Sequence, residues 1–291
     1  MTHRSIGDKL FDTCNYILLS GLMIVTLYPF LYVLFASLST PSELVKHTGI
    51  LWKPAGFYLE GYKLVLKNPM IAVGYKNTLF YVTAGTVLNV FFTALFAFVL
   101  SRRDLYWKKY MMMMIVFTMF FSGGLIPEYM LIKNLGLLDT RWSLIVPGLI
   151  ATWNLIIMRT SFQSIPYELE EAAKMDGASD WTVFAKVILP LSVPLLAVMV
   201  LFYGVAHWNA WASALIYLRD RDLFPLQLVL REILIQNSTT ETTNLSTASD
   251  PFLGEVVKYA TIIVATVPIL IVYPLIQRHF TKGVMIGALK G

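Results

Sequence analysis

Long apolar runs separated by polar connections dominate the chain. Six stretches lack Asp, Glu, Lys and Arg altogether: Cys14 to Leu38, Asn77 to Ser101, Tyr110 to Pro127, Trp142 to Met158, Pro190 to Leu218 and Tyr259 to Gln277. Most approach the roughly 20 residues that a helix needs to cross the hydrocarbon core. A charge at a helix centre costs about 2.5 to 3.5 kcal/mol on insertion scales, so its absence is informative. The runs are continuously apolar rather than alternating with a period of two, which predicts helices and not a barrel. The expected fold is an all-α membrane protein with six transmembrane helices. The third run extends past Glu128 toward Leu131, and the fourth past Arg159, whose long side chain can snorkel to the interface. Pro29, Pro147, Pro194, Pro268 and Pro274 lie inside these spans, where packing kinks are expected.

A polar island separates the fourth run from the fifth. Leu169 to Pro190 reads LEEAAKMDGASDWTVFAKVILP. Ser164 and Pro166 are helix-start signals, and Glu168, Glu170 and Glu171 in the first turns favour the positive end of a helix dipole. Asp176-Gly177 predicts the stop, because glycine readily takes the left-handed conformation that ends a helix. Ser179 or Asp180 can cap a second helix over Trp181 to Leu189, which runs to Pro190. The expectation is a helix, a turn and a helix outside the bilayer.

Composition agrees with the pattern. The 291 residues are 57% hydrophobic and 14% charged, with a mean hydropathy of +0.64, outside the range of ordinary soluble domains. The net charge of +5 reads as a topology signal rather than a nucleic-acid one. Arg102, Arg103, Lys108 and Lys109 crowd one tight connection, and short basic loops face the cytoplasm. Lys46, Lys53, Lys63, Lys67 and Lys76 in the long loop from Ser39 weigh less, and Lys9, Arg278, Lys282 and Lys290 agree with both termini inside. His3, Arg4 and Lys9 precede an apolar run too long for a signal peptide, so a retained first helix is expected. The expected plan is a cytoplasmic segment at 1–13, a six-helix domain at 14–280 with its cytoplasmic loop at 159–190, and a cytoplasmic tail at 281–291.

Several chemistries find no support. Cys14 is the only cysteine, so no intramolecular disulfide is expected. His3, His47, His207 and His279 have no metal-ligand spacing. His207 lies inside a span without an acidic partner nearby in sequence, which favours neutral packing over proton relay. The chain has no GxxxxGK[ST] phosphate loop.

Glu171-Ala172-Ala173, Asp176-Gly177-Ala178 and Ile188-Leu189-Pro190, in that order, resemble the EAA loop of membrane subunits of binding-protein-dependent ABC importers. Trp208-Asn209, Ala214 to Leu218 and Phe224 to Leu228 resemble the fifth-helix region of carbohydrate-uptake permeases. Lys282-Gly283 with Gly287 to Gly291 resembles that group's short tail, similar to the smaller membrane subunit of the maltose importer. Pro127, Tyr129, Leu135 to Leu137 and Asp139-Thr140 follow its external connection between the third and fourth helices. The likeness covers most of the chain and is strongest to permeases for polysaccharide-derived oligosaccharides.

The resemblance implies a bacterial cytoplasmic-membrane permease subunit, not itself an enzyme and without a cofactor of its own. It implies a second membrane subunit forming a heterodimer, two ATP-binding subunits holding ATP and Mg, an extracellular or periplasmic solute-binding protein, and a sugar substrate; no nucleic acid is involved. The first helix of the loop would dock on an ATP-binding subunit. Leu169, Glu170, Glu171, Ala172, Ala173, Met175, Asp176 and Gly177 are its candidate coupling residues, and Trp181 is a further apolar contact. Asn154, Tyr203, Trp208, Asn209 and Trp211 are candidates for the sugar path, because amides and aromatic faces suit a pyranose. The same residues also suit interhelical hydrogen bonding and interfacial anchoring. Gln236 to Asp250 reads as a flexible loop available, with Ser39 to Lys76, to the solute-binding protein. The rival readings are a permease for a non-sugar solute, a self-contained secondary carrier or a membrane scaffold.

Overall fold

The computed structural model describes the backbone at residues 6–240 and 253–288, and side chains at 9–235 and 253–271. Among the described residues every regular element is helical. The chain divides into two units, one from the stretch up to Pro69 with Leu230–Val267, the other from Met70–Val229 with Pro268 onward.

In the first unit, α1 (Ile6–Ser37) holds the first apolar run in one helix. The stretch after Ser39, expected as a loop, is folded. It carries α2 (Pro41–Lys46) and α3 (Glu60–Lys67). Pro41 opens α2, where its missing N–H costs nothing. The Ser39 hydroxyl accepts from the Ala55 amide at 2.9 Å, and Tyr28 from the Leu51 amide at 3.1 Å. Ala36, Leu44, Leu51 and Val256 form the core of this unit.

In the second unit, α4 (Pro69–Ser101) is a continuous helix carrying a π-helical turn at Tyr81–Gly85. Its partners are α5 (Lys108–Phe120), α6 (Leu125–Asn134), α7 (Thr152–Gln163), α8 (Tyr167–Met175), α9 (Asp180–Leu191), α10 (Val193–Trp208) and α11 (Ala212–Tyr217). Two more helices are divided between the units: α12 (Leu226–Thr240) belongs to the first from Leu230 onward, and α13 (Leu253–Ala288) belongs to the first as far as Val267 and to the second from Pro268. Ala94, Ala97 and Phe98 of α4, Met158 and Phe162 of α7, Val183, Phe184 and Ile188 of α9, and Met199 of α10 form one buried cluster. Small residues at the α4 face let these backbones approach closely.

Among the described residues three helices are long and apolar enough to cross a membrane: Lys9–Ser37, Pro69–Ser101 and Leu253–Ile271. Two bent pairs, α5 with α6 at 116° and α9 with α10 at 83°, bring the number to five if each pair counts as one span. The third and fifth apolar runs are therefore broken. Ser122-Gly123-Gly124 interrupts the third, with Gly124 at φ +84°, a conformation that a helix interior excludes. The fourth run is not one helix at all. Residues 142–151 form a short 3-10 turn and irregular backbone around Pro147-Gly148, and only Thr152 onward is α-helical. A charge-free run records composition, whereas proline and glycine decide whether it coils.

The first five residues of the expected Gln236 to Asp250 loop continue α12, and the rest lie outside the described residues. The helix α13 runs through Ala288 and takes in most of the expected tail, whose final residues, 289–291, also lie outside them. At the other end, residues 1–5 are outside them too, and α1 already begins at Ile6.

Candidate functional site

The polar island folds as a helix, a left-handed turn and a second helix. Pro166 stands at the start of α8 with no side-chain cap. Ser164, expected to cap it, turns its hydroxyl back to the Ser161 carbonyl at 2.7 Å and closes α7 instead. The stop is a Schellman turn. The Ala178 amide donates to Ala173 at 2.9 Å and the Gly177 amide to Lys174 at 3.0 Å, with Gly177 at φ +81°. Ala173 and Ala178, the pair such a turn brings together, both rest on the buried cluster. Ser179 then caps α9, accepting from the Thr182 amide at 3.3 Å.

Adjacent glutamates on α8 face opposite ways. Glu170 is 5% exposed and pairs with Arg102 at the end of α4, whose guanidinium also lies over the Phe98 ring at 4.3 Å. Lys174, one turn on, lies 3.1 Å from the second Glu170 oxygen and 3.3 Å from Asp180. Its hydrogen bond to Glu170 holds the ammonium pKa above the usual 10.5. Arg103 stacks over Tyr167 at 4.5 Å. Glu171 and Ala172 are exposed, as are Leu169 at 43%, Trp181 at 58% and Met175 at 88%. Asp176 and Gly177 are exposed at the turn itself. A cavity of ≈ 210 Å³ beneath α8 is lined by Arg102, Arg103, Lys108, Gln163, Tyr167 and Glu170 among others.

The end of α4 is held from the same side. Lys108 donates to the carbonyls of Ser101 at 3.3 Å and Arg102 at 2.9 Å. Arg159, expected to snorkel, donates Nε to the Leu100 carbonyl at 3.1 Å. Cations on the last carbonyls of a helix complement its dipole. The basic connection and the helix–turn–helix thus share one end of this unit.

Farther along α4, Asn89 and Thr93 make their hydrogen bonds within the chain, while the buried Thr86 hydroxyl has no partner among the described residues. The Asn89 amide donates to the carbonyls of Gly148 and Leu149, both at 2.8 Å. Its oxygen is therefore left to accept from His207 Nε2 at 2.6 Å. His207 is hydrogen-bonded within the chain, and the π-helical turn brings Gly85 so close that a Cβ there would collide with the imidazole. The Tyr203 hydroxyl accepts from the Ala151 amide at 3.1 Å and meets Thr93 Oγ1 at 2.7 Å. Of the path candidates, Tyr203, Trp208 and Asn154 are buried at 4%, 8% and 8%. Asn209 is exposed with its amide on the Val205 carbonyl of its own helix, and Trp211 is 39% exposed. None of the five lines the cavity beneath α8.

Asn77, Asn89 and Thr93 were not among the expected site residues. A signal existed: Gly85, Asn89, Thr93, Ala97 and Ser101 recur every four residues along one helical face, and all five are buried.

At the opposite end, Asp139 takes φ 57° and accepts from the amides of Arg219 and Asp220, both at 2.8 Å. Those two bonds hold its carboxyl below the ordinary 3.8.

Residues 82–286 match the family of binding-protein-dependent transport system inner membrane components. The chain belongs to that family. It is 41% identical to protein LplC of Bacillus subtilis (strain 168) over 291 residues, covering 99% of this chain and 98% of LplC. It is also 41% identical to the polygalacturonan/rhamnogalacturonan transport system permease protein YtcP of the same organism over 286 residues, 98% and 99% of the two chains. Among solved structures, it resembles a chain of a bacterial ABC transporter that imports the acidic polysaccharide alginate, with TM-score 0.86 and 30% identity over 96% of this chain and 100% of that one. The chain is thus a membrane component of a binding-protein-dependent importer family.

Proposed function

We propose that the chain is a permease subunit of an ABC importer for sugars or oligosaccharides, driven through the helix Tyr167–Met175. The sugar class rests on the polygalacturonan/rhamnogalacturonan and alginate transporters to which the chain is similar. The drive rests chiefly on one feature: a short helix anchored from behind by the Arg102–Glu170 pair, with Leu169, Glu171, Ala172 and Met175 exposed in front.

Each ATP-binding subunit of the importer binds ATP with Mg, and one of the two receives this face. Apolar contact and shape carry most of the docking, because an exposed ion pair through Glu171 contributes only about 0.2–1 kcal/mol. Movement of the helix passes to α4 through Arg102, and to α7 and α9 through the shared core. A second, different membrane subunit completes the path, and a binding protein delivers the sugar on the outer side. The chain crosses six times with both termini in the cytoplasm, Thr152–Gln163 and the turns before it supplying the fourth crossing. Of the path candidates, Asn209 and Trp211 have surface to offer a sugar, while Asn154, Tyr203 and Trp208 are buried within the chain.

Gly177→Val tests the drive. A Cβ at Gly177 meets nothing within 4 Å, so the variant loses the left-handed turn at about 1–2 kcal/mol without a clash. The assembled complex should bind nucleotide while sugar-stimulated ATPase and uptake fall together. Wild-type ATPase and uptake in an assembled Gly177→Val complex would refute coupling through this turn.

A further inference from the structure

A second cavity lies beside the basic connection, and no residue of α8 lines it. It has a volume of ≈ 520 Å³ and is lined by Leu105, Tyr106, Lys108, Lys109, Met112 and Arg159. Three of the six are cations and none is acidic. Lys108 gives its three donors to the carbonyls of Ser101 and Arg102 and to the Gln163 amide oxygen, but Arg159 commits only Nε and one Nη2 proton of its five, so Arg159 and Lys109 retain capacity for an anion. Asp104, Arg102 and Arg103 flank the cavity in sequence, leaving its surroundings net positive.

The apolar half of the lining decides between kinds of anion. Tyr106 is 88% exposed, Trp107 61% and Tyr110 56%, an arrangement that places amphipathic rings at headgroup level. Below them α5 buries none of its residues within this chain, and Met113, Met114 and Phe117 stay more than half exposed. A small free anion has no use for such a wall. A phospholipid has: phosphate against the cations, glycerol and upper acyl chain along Tyr106 and Met112. Basic pockets at the cytoplasmic ends of membrane helices take anionic headgroups in this way.

We propose that this cavity binds the headgroup of an anionic phospholipid of the phosphatidylglycerol kind, and that the lipid braces the connection from which Arg102 reaches Glu170. The proposal rests on the cytoplasmic orientation given above. The test uses the complete importer purified in detergent, stripped of lipid, and offered equimolar phosphatidylglycerol and phosphatidylcholine, with retention read by native mass spectrometry. Wild type should keep phosphatidylglycerol in preference, and Lys109→Gln, an exposed change, should weaken that retention about five-fold. Excess inorganic phosphate should leave the bound lipid in place. Equal retention of the two lipids by wild type, undiminished retention in Lys109→Gln, or displacement by inorganic phosphate each overturns the site. Sugar-stimulated ATPase in the same preparation reports separately on the importer reading: normal ATPase without lipid preference removes only the lipid site, and lipid preference without ATPase removes only the importer reading.

Discussion

Two polar regions of the second unit use the same kinds of side chain to opposite ends. Around His207, polar groups find their partners within the chain: Asn89 takes two carbonyls and the imidazole, and Tyr203 takes an amide and Thr93. On α8 the partnership is confined to one face. Glu170 is buried against Arg102, while Glu171 is exposed beside Ala172. Buried polar groups require hydrogen bonds, so a polar residue in a span is first of all a structural one. A docking helix instead needs a satisfied back and an uncommitted front.

The contrast between the two glutamates is open to direct attack. Glu170→Ala leaves the Arg102 guanidinium, 14% exposed, without its carboxylate, and loss of one partner of a buried pair costs about 3–5 kcal/mol, an upper value for a pair partly open to solvent. Thermal unfolding of the purified complex should show a larger loss for this variant than for any single change that follows, and Arg102→Met should recover part of it in the double variant. Asn89→Ala strands the His207 N–H and two carbonyls, for about 1–3 kcal/mol, with a smaller fall in the same melt. Glu171→Ala should shift stability by less than about 0.5 kcal/mol yet lower uptake in proteoliposomes. Equal melts for the two glutamate variants would erase the division between back and front.

The smallest effect belongs to the far end. With Asp139 holding two backbone amides, its folded pKa lies below the unfolded 3.8. Its contribution is therefore complete above that value and fades as pH falls through the lower folded one. The melting difference between wild type and Asp139→Asn should be constant from neutral pH down to about 4 and close in more acidic buffer.

Legibility followed the range of the interaction. Gly177 and Ser179 were readable because a turn and a cap are settled within a few residues, and both stand where expected. Ser164 misled for the same local reason: its hydroxyl had a nearer carbonyl to accept its proton. The Arg102–Glu170 pair joins residues 68 apart, and nothing local in either segment marks it. The Asn89–His207 bond, across 118 positions, was equally hidden: the sequence favoured internal packing for His207 over proton relay, but nothing local named Asn89 as its partner. The run at Trp142 to Met158 is only partly helical, from Thr152 onward. Its lack of charge suggested a span, and Pro147-Gly148 set where helix could form.

Cysteine cross-linking from α8 tests the central claim most directly. Cys14, exposed and the only cysteine, is replaced by serine, and single cysteines are placed at Glu171, Met175 and, as the buried control, Ala97. In membranes holding the whole importer, a bifunctional thiol reagent should join positions 171 and 175 to an ATP-binding subunit, with a yield that changes when ATP is added, and leave position 97 unlinked. An assembled, active importer in which neither 171 nor 175 links to an ATP-binding subunit would contradict the account.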